Sequence, residues 1–144
     1  MTNLLRNLAC DATGAIAVEF ALIGPALLMM ILGVVQGGVA LQQYNALRGV
    51  SADVARYAMV QYQTGNDLTN SQLRTYTRNY ASGTPYLLDS ERFEATVTDA
   101  ATQRVTGATE KTLKVTYQMD SVLEYAKIEG PYVTYSRPIF LVND

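Results

Sequence analysis

From Ala15 to Val35 the chain is apolar, with Glu19 as its single charge, and beyond that run two different periodicities follow. About 20 apolar residues cross a hydrocarbon core, so the run has membrane length. Past it, Ala40, Tyr44, Leu47, Ser51, Val54 and Ala58 recur at alternating four- and three-residue spacing. That spacing lays a stripe of small and medium side chains along one helical face, flanked by Val50 and Tyr57. Gln42, Gln43, Arg48, Asp53 and Arg56 fall mostly off the stripe. No stop signal appears before Gly65-Asn66-Asp67, so one helix is predicted from Ala15 to about Gln63. At 1.5 Å per residue it would extend roughly 73 Å, a rod no small soluble domain needs.

Thr69-Asn70-Ser71-Gln72 has capping-box spacing. It opens a short helix over about Asn70 to Tyr80, with Leu73, Thr77 and Tyr80 on one side and Gly83-Thr84-Pro85 as its end. The pattern then switches to period two. Phe93, Ala95 and Val97 alternate with Glu94, Thr96 and Thr98, while Leu113, Val115, Tyr117 and Met119 alternate with Lys114, Thr116 and Gln118. Each set reads as a strand with one apolar face, joined through the polar stretch around Gly107. Asp120 to Glu129 reads as a loop or helical turn. Tyr132 to Ser136 suggests a third strand, which Pro138 either ends or restricts to a sheet edge. The fold class is α+β: a long helix carries a head with a short helix and a three- to four-stranded antiparallel sheet packed on the stripe. The segments are 1–14 as a polar leader, 15–41 as the membrane helix, 42–63 as its amphipathic continuation, and 64–144 as the head.

Composition removes several function classes. Net charge is −2 and acids and bases are interspersed, so nothing tracks a nucleic-acid backbone. Histidine and tryptophan are absent, and Cys10 is the one cysteine. The usual general base, the usual zinc ligand and any intrachain disulfide go with them. Glu91 and Glu94, or Glu124 and Glu129, sit in polar stretches suited to a solvated surface, so the chain reads as a non-enzyme that needs no cofactor or metal. Most of the ten tyrosines lie from Tyr62 onward. Tyr76, Tyr80, Tyr86, Tyr125, Tyr132 and Tyr135 would either form an adhesive surface or complete the core with their hydroxyls at its rim, and the second reading is preferred.

Glu19 carries the most chemical information. A carboxylate inside a span costs about 2.5–3.5 kcal/mol on insertion scales and asks for a partner. Gly24-Pro25 interrupts the span, since proline removes a backbone donor and crowds the preceding turn. It is either a kink where the helix bends or a proline that membrane helices tolerate. Gly33 and Gly37 have the small-xxx-small spacing that lets helices approach closely.

Gly14, then Glu19 and Phe20, then an apolar helix with Ala17-Val18-Glu19-Phe20-Ala21-Leu22 and later Val54-Ala55-Arg56-Tyr57-Ala58, resembles the TadE-like family. These are pilin-related proteins of the tight-adherence (Flp) branch of bacterial type IV pilus systems, and the resemblance covers about Gly14 to Tyr62. It implies cleavage after Gly14 by a prepilin peptidase, with Ala15 as the new N-terminus and Glu19 as the fifth mature residue. The Ala15 amine and Glu19 would lie one helical turn apart, so in a staggered assembly the carboxylate can pair with a neighbour's amine. Implied partners are the peptidase, other pilins or pseudopilins, the inner-membrane assembly platform and membrane lipid. The implied location is the inner membrane, single-pass, with the N-terminus cytoplasmic and the head outside the cytoplasm. A head of about 80 residues favours an accessory role, as minor pilin or pseudopilin, in a pilus serving surface adhesion and biofilm formation. Two departures stand out: the leader holds Arg6 in place of a dense basic cluster, and alanine replaces the phenylalanine that begins many mature type IV pilins.

The residues alone also accommodate an uncleaved single-span envelope protein whose head is a binding module. A third reading is a small domain released by signal peptidase near Gly37-Gly38-Val39-Ala40.

Overall fold

The computed structural model describes residues 12–121, 124 and 127–142. Most of the leader, including Arg6 and Cys10, lies outside the described residues, as does Tyr125. Helix α1 runs Ala12–Gln63, helix α2 Asn70–Ser82, and three strands follow: β1 Phe93–Asp99, β2 Ala108–Gln118 and β3 Tyr132–Val142. This is the expected α+β arrangement, with three strands. The chain divides into two units at Gly38–Val39, both of which contain part of α1.

In the first unit α1 is already helical at Gly14 and Ala15 and is assigned without a break through Pro25. An 18-residue window beginning in this stretch has mean hydropathy 2.3, and none of it is buried. Ile16, Val18, Phe20, Leu22, Ile23 and Leu27 all face outward. An apolar surface of this length, with Glu19 as its one charge, is a candidate membrane span by length and composition.

In the second unit α1 presents the stripe read from the spacing. Leu47, Val50, Ser51, Val54 and Ala58 are buried, as are Leu73, Thr77 and Ala81 of α2. The hydroxyls of Ser51 and Thr77 donate to the carbonyls of Leu47 and Leu73 at 2.7 Å, so their burial leaves no unpaired donor. At the end of α1, the Gly65 and Asn66 amides donate to the Tyr62 and Gln61 carbonyls at 3.0 and 2.9 Å. Gly65, at φ 81°, supplies the left-handed residue this cap requires. The capping box of α2 forms in both directions between Thr69 and Gln72.

The sheet order is β1-β2-β3, antiparallel throughout, with Phe93 opposite Tyr117 and Val115 opposite Tyr135. One face is apolar: Phe93, Ala95, Val97, Leu113, Val115, Tyr117, Ile139 and Leu141 join the α1 and α2 residues in one core. Two strands are longer than the alternation suggested. Strand β2 starts at Ala108, directly after Gly107 (φ 81°), and β3 continues through Pro138 to Val142. Pro138 is tolerated because β3 is an edge: it pairs with β2 on one side, opposite Thr112, and needs no donor on the other. With Arg137 beside it, Pro138 also blunts a long apolar edge against pairing with other chains. Met119 lies one residue past β2 yet is buried, and its amide donates to the Pro131 carbonyl at 3.0 Å. Between them, Glu124 sits in a 3-10 turn.

Two residues read as lying off the stripe prove to face the head. Gln43 is buried and donates from Nε2 to Asp120 Oδ2 at 2.8 Å. Asp53 is half-buried and accepts from two tyrosines. Both flank the apolar stripe, where a 100° step per residue turns a polar side chain toward the sheet or toward α2.

Candidate assembly site and its support in the head

All the residues singled out near the N-terminus lie on α1, which sets their order and spacing. Four residues advance a helix about 6 Å, so Ala15 and Glu19 share a face one turn apart. Gly14 and Glu19 are exposed, and Glu19 makes no ion pair among the described residues. Phe20 follows, 74% exposed. Its ring lies over Gly24, where an added Cβ would sit 3.8 Å from Phe20 Cε1. Phe20, Gly24 and Pro25, with Ala21, Leu27 and Leu28, line one shallow apolar groove. Pro25 has no amide hydrogen, so the Ala21 carbonyl lacks its helical donor at this point. Phe20, Gly24 and Pro25 are thus brought together, while Gly14 and Ala15 stand two turns away toward the N-terminus.

Chemically, this surface offers one carboxylate and one aromatic ring on an otherwise apolar stretch of α1. A free amine at Ala15 would place a positive charge a turn before the carboxylate. The N-terminal dipole of the helix would favour the negative charge there as well. The Gly14–Ala15 bond lies in the first described turn of α1.

In the second unit, a polar and aromatic network that was not legible from spacing fastens α1 to the head. Tyr80 and Tyr86 donate their phenol hydrogens to Asp53 Oδ2 at 3.1 and 2.8 Å. Tyr57 and Tyr76 stack at 3.8 Å between centroids, Tyr76 and Tyr80 follow at 5.7 Å, and Tyr86 completes the row. Three of the six tyrosines singled out in the head (Tyr76, Tyr80 and Tyr86) therefore serve the core rim, as does partly buried Tyr135, whereas Tyr132 is exposed. At the far end of the sheet Arg92 reaches Asp120 and Glu124, and Asp120 also accepts from Gln43. Across the outer face, Arg104 stacks over Phe140 and pairs with buried Glu110. The Arg104 guanidinium, through its hydrogen bonds first, holds that carboxyl below its usual range.

Burial first, then its bond to Asp53 and that carboxylate's charge, push the Tyr86 phenol up to about 12 from 10.0. The unfolded chain loses this proton near pH 10 while the folded chain keeps it. The stabilisation is therefore complete below pH 10 and is expected to fade as pH rises toward 12. Tyr80 is shifted in the same direction, mainly by its bond to Asp53. Tyrosinate absorbance and near-ultraviolet circular dichroism across this window check the expectation. Tyr86→Phe should flatten the fall, and an unchanged profile would mean that Tyr86 is not the group behind it.

The family model for TadE-like proteins matches residues 14–56, which takes in Gly14, Glu19, the apolar run, the stripe as far as Val54, and Asp53. No curated protein and no solved structure matches the chain.

Proposed function

We propose, from the match of residues 14–56 to the TadE-like family model, that the chain is a minor pilin or pseudopilin of a tight-adherence pilus. It is made with a leader ending at Gly14, is cut there by prepilin peptidase, and keeps its apolar helix in the inner membrane with the head outside the cytoplasm. The observation that carries this reading is Glu19. It is the one charge in a membrane-length apolar surface, exposed and without an ion partner in its own described chain. Pairing with the Ala15 amine of a neighbouring subunit offsets the cost of placing it in lipid and selects one axial register. The Phe20, Gly24 and Pro25 groove adds shape at the same level of the helix, and the missing donor at the Ala21 carbonyl lowers the cost of bending the helix there. The head supplies an accessory subunit's distinct surface, with roles in priming, capping or sitting within a fibre that supports adhesion and biofilm formation.

The deciding experiment maps the N-terminus and intact mass of the membrane-extracted protein, made with and without the matching peptidase. The expected mature chain starts at Ala15 only when the peptidase is present. A start at Met1 or Thr2 in both samples would overturn the proposal and leave a membrane-anchored binding module.

A further inference from the structure

Helix α2 carries Arg74 and Arg78 one turn apart on its exposed side. Neither makes an ion pair among the described residues. Like charges at this spacing oppose helix formation, and α2 contains no acid to offset them. The acids flanking the helix in sequence, Asp67 before it and Asp89 and Glu91 after it, do not line the space beside these arginines. Asp89 faces Arg92 at 3.8 Å and accepts the Glu91 amide at 2.9 Å. The two arginines instead line a cleft of about 210 Å³, with Thr75, Asn79, Ser82 and Ser90 as its other walls. The lining holds no carboxylate and no hydrophobic residue.

We infer that this cleft binds an acidic sugar unit of a polysaccharide, its carboxylate held by Arg74 and Arg78. A guanidinium fork matches a carboxylate with two parallel hydrogen bonds, which a point charge cannot do. Around the forks Thr75, Asn79 and Ser90 can both donate and accept, while Ser82, whose hydroxyl donates to the Arg78 and Asn79 carbonyls, can accept, as a ring bearing many hydroxyls requires. The volume is below the range of drug-sized pockets and suits one ring. A peptide ligand would call for an apolar anchor, and a nucleic acid for aromatic stacking and a longer run of cations. The inference is independent of how the N-terminus is processed, because every residue in it belongs to the head.

The test uses the full chain in detergent micelles, titrated with trigalacturonate, neutral maltotriose and inorganic phosphate, and read by calorimetry. Trigalacturonate is expected to bind at least tenfold more tightly than either of the others. The double variant Arg74→Gln with Arg78→Gln should lose at least tenfold in that affinity, and Arg48→Gln with Arg56→Gln, on exposed positions of α1, should lose none. Should the first pair disturb the head's tyrosine circular dichroism, Arg78→Lys provides the same reading by keeping charge while removing the fork. Equal binding of phosphate would overturn the sugar assignment. Full affinity in the Arg74 and Arg78 variants would overturn the site.

Discussion

Glu19→Ala is expected to insert and be processed as the parent chain is, yet to lose nearly all crosslinking to neighbouring pilins. Insertion should become easier, because the substitution removes a charge that costs about 2.5–3.5 kcal/mol in the span. Assembly should fail for the opposite reason. Removing one partner of a pair buried in lipid leaves the other charge, here the neighbour's Ala15 amine, uncompensated at a cost of about 3–5 kcal/mol. Each 1.4 kcal/mol is a factor of ten, so the loss amounts to two orders of magnitude or more in association. Glu19→Gln should fall between, since an amide oxygen still accepts a hydrogen bond without its charge. Cysteine crosslinking between subunits in native membranes reads the outcome. Parent-like crosslinking in Glu19→Ala would remove Glu19 from the assembly contact, whatever the N-terminal mapping shows.

The features that carry this expectation were open to sequence reading because they rest on local regularities. An apolar run of membrane length with Glu19 as its single charge is visible as composition, and the Leu47, Ser51, Val54 and Ala58 stripe is visible as spacing. Alternation placed Phe93, Ala95 and Val97 with Leu113, Val115 and Tyr117 on one sheet face, and the register confirms it. Contacts between distant segments had no such signal. Asp53 looks like a solvated charge on the helix flank until α2 and the turn after it return, 27 and 33 residues later, with Tyr80 and Tyr86. Gln43 meets Asp120 across a separation of 77 residues. The continuation of β3 past Pro138 was one of the two outcomes that proline allowed; alternation could not choose between them, because strand order does not follow from it.

Gly49 offers the sharpest test of that hidden network. It lies inside α1, where glycine costs a helix about 0.5–1 kcal/mol relative to alanine, so its presence calls for a packing reason. The reason is Tyr86: a Cβ at position 49 would come within 2.6 Å of the ring's Cε1 and hydroxyl oxygen and 2.9 Å of Cζ. Gly49→Leu would displace the ring and break its bond to Asp53. A hydrogen bond to a charged acceptor contributes about 1.5–3 kcal/mol, and the aromatic contact with Tyr80 about 0.5–1.5 kcal/mol more. Improved helix propensity returns about 1 kcal/mol, leaving a net loss of about 2 kcal/mol. For a domain of this size that lowers Tm by roughly 10 °C, read from the tyrosine near-ultraviolet signal of the full chain in micelles. Adding Tyr86→Ala to Gly49→Leu should then cost far less than Tyr86→Ala alone, because the ring has already been expelled. The alkaline loss of stability assigned to Tyr86 should disappear in the same variant. Strict additivity of the two substitutions would mean that the ring does not rest on Gly49, and the anchoring of the head through this turn of α1 would have to be sought in the apolar stripe alone.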